Sequence, residues 1–290
     1  PAVGNTEVLT QYSDILSLAT SYTYKGEHAG YTVQTGATSG SPVTQTLQAK
    51  LDNFASVLDF GATGDGVTDD TDAINRALFQ LFCRQTNTTI RRSLYFPAGT
   101  YRVTQSIAVP PFAQLWGDGP DSAIIEMDVA SDSSFGPYVM RTADSLQQTG
   151  VNIGNNSATP PKQIVISGMT FTSVEDIDLV LVDRAEQVSF NNVNFEGPLL
   201  QSNLTSAADN LAGVRFDSTV AYTTKQIEFN NCKFSQLTYG INTDENIQGV
   251  TVQNSQFKTL YKAVVLGDGT PVSGGPEGVR IVQNLFDAVA

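Results

Sequence analysis

The sequence predicts an all-β fold, a parallel β-helix solenoid, and three observations carry that expectation. An eight-residue frame recurs as Ile164-Val-Ile-Ser-Gly-Met-Thr-Phe171, Val188-Ser-Phe-Asn-Asn-Val-Asn-Phe195, Ile227-Glu-Phe-Asn-Asn-Cys-Lys-Phe234, Val250-Thr-Val-Gln-Asn-Ser-Gln-Phe257 and Val279-Arg-Ile-Val-Gln-Asn-Leu-Phe286. Its phenylalanines lie 24, 39, 23 and 29 residues apart, a unit near 23 with occasional insertions, which is a solenoid signature. Each frame alternates apolar and polar residues at the strand period, and an amide sits four places after the first apolar residue at Asn192, Asn231, Asn254 and Gln283. Stacked at a strand spacing of about 4.8 Å, such amides can hydrogen-bond along a column. A second short strand accompanies the units at Ile177–Val182, Val214–Phe216, Ile241–Thr243 and Val264–Leu266. A leucine-rich repeat has a similar period, but its leucine-heavy frame is absent.

Taken in order, residues 1 to about 20 carry Val8, Leu9, Tyr12, Ile15, Leu16 and Ala19 as a helical stripe. That stripe serves either a seam with symmetry mates or packing on its own domain. Tyr22 to Gly26 and Gly30 to Val33 read as a hairpin, and Gly36 to Pro42 as a linker. Gln45 to Phe54 reads as a brief amphipathic helix. This opening segment has too little apolar content for a core of its own.

Val57 to Asp72 then punctuates the chain. Gly61, Gly64 and Gly66 allow tight reversal, and Asp69, Asp70 and Thr71 suit a helix start. A calcium or phosphate cradle is the competing reading of this acid-rich loop. Ala73, Ile74, Ala77, Leu78, Leu81 and Phe82 form one stripe, so a short helix over 70–83 is expected to cap the open end of the solenoid. Short strands follow at Leu94–Phe96, Tyr101–Val103, Ile107–Val109, Leu115–Trp116 and Ile124–Ile125. Residues 128 to 162 are polar and turn-rich, and read as a long lateral loop.

The runs DFGATGDGVTDDTDAI (59–74), LYFPAGTYRV (94–103) and LWGDGPDSAII (115–125) resemble the entry to the pectate-lyase-like, right-handed parallel β-helix domain of bacteriophage tailspikes and tail fibres. LQAKLDNFASV, leading into DFGA, is similar to the neck helix that precedes that domain. The resemblance implies a small N-terminal α/β segment facing the virion (1–44), a neck helix (45–56) and a β-helix (57–290) cut short at its C-terminal end. It also implies a homotrimer in the phage tail, assembled in the host cytoplasm. Its expected partners are a bacterial surface polysaccharide and, through the N-terminal segment, other tail or baseplate proteins.

Composition narrows the function. Charged residues are only 16% and the net charge is −13, which argues against nucleic acid and an anionic membrane surface. No apolar run approaches the length of a membrane span, and the chain opens at Pro1 without a signal peptide. The chain reads as a piece of a longer polypeptide. Cys83 and Cys232 read as buried free thiols, and His28 is the sole histidine, which nearly excludes histidine-based catalysis and histidine metal sites. No metal or other cofactor is expected.

The second strands supply the candidate chemistry. Counting from inward Val214 and Ile241, Asp217 and Asp244 emerge outward one rung apart, near the separation of the two carboxyls in retaining glycosidases. Two carboxylates so close do not readily both ionise, so one is expected to serve as proton donor. Arg215 and Glu245 flank the pair and Asp268 lies one place further in the third rung, as candidate substrate-binding residues. The alternative is that these are ordinary acidic turn residues. Asn242-Thr243-Asp244 resembles the NTD motif of polygalacturonase-type hydrolases, but that family's paired aspartates, histidine and basic motif have no counterpart here. Tyr222, Tyr239 and Tyr261 are candidates for stacking on sugar rings or for packing.

The expected function is therefore a tailspike that binds and depolymerises a bacterial surface polysaccharide, by hydrolysis or elimination. The competing readings are a non-catalytic receptor-binding tail-fibre protein and a secreted pectinase-type enzyme.

Overall fold

Each repeat frame folds as two strands separated by one corner, and the accompanying second strand closes a three-sided rung. The computed structural model describes residues 22–23, 34–38, 41–51, 54–83, 93–128, 138–143, 148–149, 152–153, 161–198, 211–217, 223–243, 247–267 and 277–289. Sheet A collects Ser93–Phe96, Gln114–Gly117, the first parts of Lys162–Ser173 and Glu186–Glu196, then Thr224–Asn230, Ile247–Gln253 and Arg280–Val282. Sheet B collects Asp65–Asp69, Gly99–Val103, Ala123–Met127, the later parts of the same two long strands, the first parts of Lys233–Thr243 and Gln256–Leu266, and Leu285–Val289. Sheet C runs through Ile107–Val109, Tyr138–Thr142, Asp178–Asp183, Ala212–Asp217 and the closing parts of Lys233–Thr243 and Gln256–Leu266. The strands pair in parallel and the chain visits A, B and C in turn. The fold is the expected β-helix, right-handed as parallel crossovers are.

The register reproduces the frame residue for residue. Ile164, Val188, Ile227 and Val250 are successive partners, and so are Phe171, Phe195, Phe234, Phe257 and Phe286. Those phenylalanine rings stack with centroids 6.1, 4.7, 4.8 and 5.1 Å apart, the first four fully buried in the core and Phe286 half exposed. Each such contact adds about 0.5–1.5 kcal/mol beyond the area it buries. The frame is therefore held by side-chain identity as well as by alternation.

The amide positions form the corner between sheets A and B. Gly168, Asn192, Asn231, Asn254 and Gln283 all take left-handed backbone, with φ between 52° and 64°. Asparagine tolerates that conformation better than most residues, and its amide can bond its neighbour. Asn231 Nδ2 donates to Asn192 Oδ1 at 3.0 Å, whereas Asn254 Nδ2 turns to Asn230 Oδ1 at 3.2 Å. The ladder is thus real, and it shifts sideways by one residue at its second step.

The expected cap is α-helical over Thr71–Leu78 and continues as a π-helical turn, Phe79–Cys83. Ile74, Ala77 and Leu78 are fully buried. Asn75, off the apolar stripe, pins the helix to the first strand of sheet C: its Nδ2 donates to the Ser106 carbonyl and its Oδ1 accepts from Ala108 N at 3.0 Å. The segment before the helix is internally bonded. Buried Asp70 accepts from the backbone of Thr63 and Gly64, and Asp65 from that of Val67 and Thr68. Those bonds serve the turn; Asp70, at the helix start, makes no side-chain cap bond, and Asp69 accepts from Thr71 N instead.

The stretch expected to be a lateral loop holds a short antiparallel pair, Gln148–Thr149 with Asn152–Ile153, and the strand Tyr138–Thr142, which forms a full member of sheet C. Cys232 is buried, which pushes its thiol up to about 12, and Cys83 is half-buried; both are unbridged. The chain divides into two units, 1–55 and 56–290. In the first, Tyr22–Thr23 pairs antiparallel with Thr44–Gln45, and Leu47–Leu51 forms a short helix. The helical stripe over 1–20 and the second hairpin arm at 30–33 lie outside the described residues.

Candidate active site

Sheet C turns its inner side to the core, and its outer side is largely buried too, opening to the surface at Arg215 and Asp217. Val180, Val182, Val214, Phe216, Ile241 and Thr243 point inward and are buried, as alternation requires. Of the residues between them and one place beyond, Leu181, Asn242 and Asp183 are buried, and Arg215 and Asp217 are the ones that reach the surface.

Asp183 and Asp217 are register partners on adjacent strands, following Leu181 opposite Arg215 and Val182 opposite Phe216. Partners in a parallel pair are about 4.8 Å apart. Asp217 is exposed, whereas the Asp183 side chain keeps only 9% of its surface. The difference lies in Arg184. Held in left-handed backbone (φ 47°), it folds back onto its own neighbour and donates Nε and Nη2 to the two Asp183 oxygens at 2.6 and 2.8 Å. Its backbone N–H donates to the Asp217 carbonyl. The hydrogen bond to Asp183 raises the Arg184 guanidinium against the lowering effect of burial, and Asp217 adds to the rise.

Arg215, a substrate-binding candidate from the sequence, is anchored by Asp178 and keeps 22% of its side chain exposed. Its Nε and Nη2 donate to Asp178, whose Oδ1 also accepts from Ala212 N at 2.7 Å. Tyr138 completes the group. Burial holds its hydroxyl above the ordinary tyrosine range, Asp178 adds to this, Arg215 opposes it, and Asp217 and Asp183 reinforce it. At neutral pH that phenol is a protonated hydrogen-bond donor beside the acids.

Of the residues singled out in the sequence, Asp217 and Arg215 lie together on this face. Asp244, Glu245 and Asp268 lie outside the described residues. The register needed for an Asp217–Asp244 pair runs without slip as far as Val214 opposite Ile241 and Arg215 opposite Asn242. Sequence reasoning missed Asp183, Arg184, Asp178 and Tyr138. A signal for the first was present: Val180-Leu-Val-Asp183, Val214-Arg-Phe-Asp217 and Ile241-Asn-Thr-Asp244 share one frame. Tyr239, considered for stacking on sugar, is buried and packs; Tyr261 is half-exposed, with Lys262 Nζ 5.5 Å from its ring centroid. Among the described residues no group of three or more histidine, cysteine or acidic side chains is arranged to hold a metal.

Such a face can bind a hydroxylated ligand through arginine, tyrosine and carboxylate, and can deliver or accept a proton through an exposed aspartate. Comparison with known proteins gives the lineage. The model of the family "Rhamnogalacturonase A/epimerase, pectate lyase-like" matches residues 54–265. The chain belongs to this family. Two curated fungal proteins are similar to the chain. The glucan 1,3-beta-glucosidase of Cochliobolus carbonum is 33% identical over 120 residues, covering 39% of this chain and 14% of that protein. The probable glucan endo-1,3-beta-glucosidase of Arthroderma benhamiae is 28% identical over 212 residues, covering 62% of this chain and 23% of that protein. The match thus spans less than a quarter of either relative's length. Among solved structures, tailspike protein 3 of bacteriophage CBA120 aligns with the whole chain and 44% of its own at a TM-score of 0.52 and 17% identity, a likeness of fold.

Proposed function

We propose that this chain is the β-helical part of a phage tailspike that binds and depolymerises a bacterial surface polysaccharide during adsorption. The observation that carries the reading is the register-paired Asp183 and Asp217, the first held by Arg184, with Arg215 and Tyr138 nearby and Asp217 exposed, on the outer side of a pectate-lyase-like helix. The tailspike fold of phage CBA120 and the DFGATGDG-to-LYFPAGTYRV resemblance support the setting. A homotrimer in the virion tail, attached to other tail proteins through residues 1–44, belongs to the same proposal.

Asp183, locked on Arg184, acts as the fixed anion of the column. Asp217 and Asp244 carry the acid and nucleophile roles of a retaining hydrolysis, in which one protonates the leaving oxygen while the other attacks the anomeric carbon. Tyr138 and Arg215 hold hydroxyls on either side. A second reading, cleavage of a β-1,3-glucan, draws on the 28% identity over 212 residues to the Arthroderma benhamiae protein.

Incubating purified protein with host capsule or lipopolysaccharide, and in parallel with laminarin, tests both. Shortening of the bacterial glycan supports the tailspike reading, and shortening of laminarin alone supports the glucanase. Binding without shortening of any chain points to the non-catalytic receptor-binding alternative.

A further inference from the structure

Sheet A carries a polar surface that the site on sheet C does not use. Where the chain enters this sheet, one residue per rung is held left-handed: Gln163, Gln187, Gln226, Gly249 and Gly278, with φ from 57° to 69°. The first three are glutamines and the last two glycines, so the column of side chains stops at Gln226. A Cβ on Gly249 would stand 3.4 Å from Gln226 N. Beside this step lies a groove of about 410 Å³ lined by Gln187, Ser189, Gln226, Glu228, Gly249 and Thr251.

Ser189, Glu228 and Thr251 are register partners on consecutive strands, so they stand side by side across the groove. Gln253 Nε2 donates to Glu228 Oε1 at 2.9 Å and fixes that carboxylate. The next outward column runs from Tyr95 and Trp116 through Ser167, Asn191 and Asn230 to Gln253. At its start the Tyr95 and Trp116 rings stack with centroids 4.3 Å apart and planes at 25°. The Tyr95 hydroxyl donates to Asp118, which holds the platform in place.

We propose that this outer face of sheet A is a glycan-binding track, separate from the acidic residues of sheet C. It takes a neutral polysaccharide running across the strands, from the groove toward the Tyr95–Trp116 platform. Amides, hydroxyls and one tethered carboxylate present donors and acceptors at successive rungs, which is what sugar hydroxyls need. The rungs repeat at about 4.8 Å, comparable with the length of one pyranose unit, so an extended chain meets each rung with a new sugar. Glu228 and the net charge of −13 work against an anionic glycan. A protein partner would call for an apolar interface centre, and the groove is lined mainly by polar side chains. The track does not depend on catalysis at Asp217.

The test uses immobilised laminarin, dextran, purified bacterial surface polysaccharides and polygalacturonate, with the Asp217→Asn protein so that cleavage does not intrude. Retention is expected on at least one neutral glycan and not on polygalacturonate. Glu228→Ala/Thr251→Ala should weaken that retention about tenfold or more, as loss of two hydrogen-bonding groups, one charged, implies. Melting should be unchanged, because both side chains are outward and half-exposed. Trp116, the sole tryptophan, should change its fluorescence when the glycan binds. The proposal is overturned if no neutral glycan is retained, or if the double variant binds as its parent does. It is equally overturned if the groove changes alter self-association in ultracentrifugation instead of glycan retention. Cleavage by the native protein is scored separately, so failure on sheet A and failure on sheet C give different results.

Discussion

Two columns of repeated polar residues climb this helix, and they obey opposite rules. At the corner between sheets A and B, Asn192, Asn231, Asn254 and Gln283 repeat. An amide both donates and accepts, so identical neighbours satisfy one another, as Asn231 and Asn192 do at 3.0 Å. On the outer side of sheet C, Asp183 and Asp217 repeat. Carboxylates only accept, and like charges directly opposite on neighbouring strands destabilise a sheet. The fold explains the first repetition and is burdened by the second. A column that costs stability, and that keeps a guanidinium on one member to tolerate the other, is where function should be sought first.

The sharpest way to break the comparison is to neutralise the exposed acid. Asp217→Asn should lower depolymerisation by about 10²–10⁴-fold, the range general acid–base catalysis supplies, while leaving the melting temperature unchanged or slightly raised. Reducing-end release and a thermal melt on the same sample check it. Full activity in Asp217→Asn would remove the acid column from the mechanism.

How much of this was legible beforehand follows the same division. The corner and the phenylalanine stack could be read because they repeat in type and in spacing, and because each repeat satisfies itself locally. Asp183 was hidden because an aspartate at the end of Ile177–Val182 reads as the turn that stops the strand; only the register opposite Asp217 shows that the strand continues through it. The Asp178–Arg215 clamp joins residues 37 apart, and no local pattern marks such a pair. Tyr138 sits in a strand embedded in polar sequence, and Tyr138–Thr142, buried at four successive positions, shows no alternation to mark it. Asn75 fell between the apolar positions of its helix, so the stripe passed over the residue that docks the cap.

Removing the cation should come next in size. Arg184→Met leaves Asp183, with little exposed side chain, without its guanidinium partner and in register with Asp217. A loss of about 1–3 kcal/mol is expected, below the figure for a fully buried pair because the Arg184 side chain is 21% exposed. Urea denaturation measures it. Adding Asp217→Asn to Arg184→Met should recover part of the loss, and a strictly additive double mutant would show that the two acids do not interact.

The corner should respond more mildly and in a set order. Asn231→Gly keeps the left-handed backbone and loses only the ladder bond, so it should cost about 0.5–1 kcal/mol. Asn231→Val loses the bond and places a β-branched residue at φ 54°, so it should cost about 1–3 kcal/mol more. If both substitutions cost the same, the column is held by hydrogen bonding alone and the backbone argument fails.

The smallest effect belongs to a third kind of acid, one satisfied by the backbone itself. Asp65 is exposed at the start of the strand before the cap, and hydrogen bonds from Thr68 N, then Val67 N and the Thr68 hydroxyl, lower its carboxyl to about 2. The folded value lies below the unfolded one, so its contribution is fully present above the usual aspartate range. It is lost as pH falls toward 2 and those bonds meet a protonated acid. Asp65→Asn should therefore melt slightly below the parent at neutral pH, and the gap should close between about pH 4 and pH 2. Calorimetric melts of both proteins across that window measure it. A gap that stays constant down to pH 2 would mean that the segment depends on Asp65 for its shape and not for its charge.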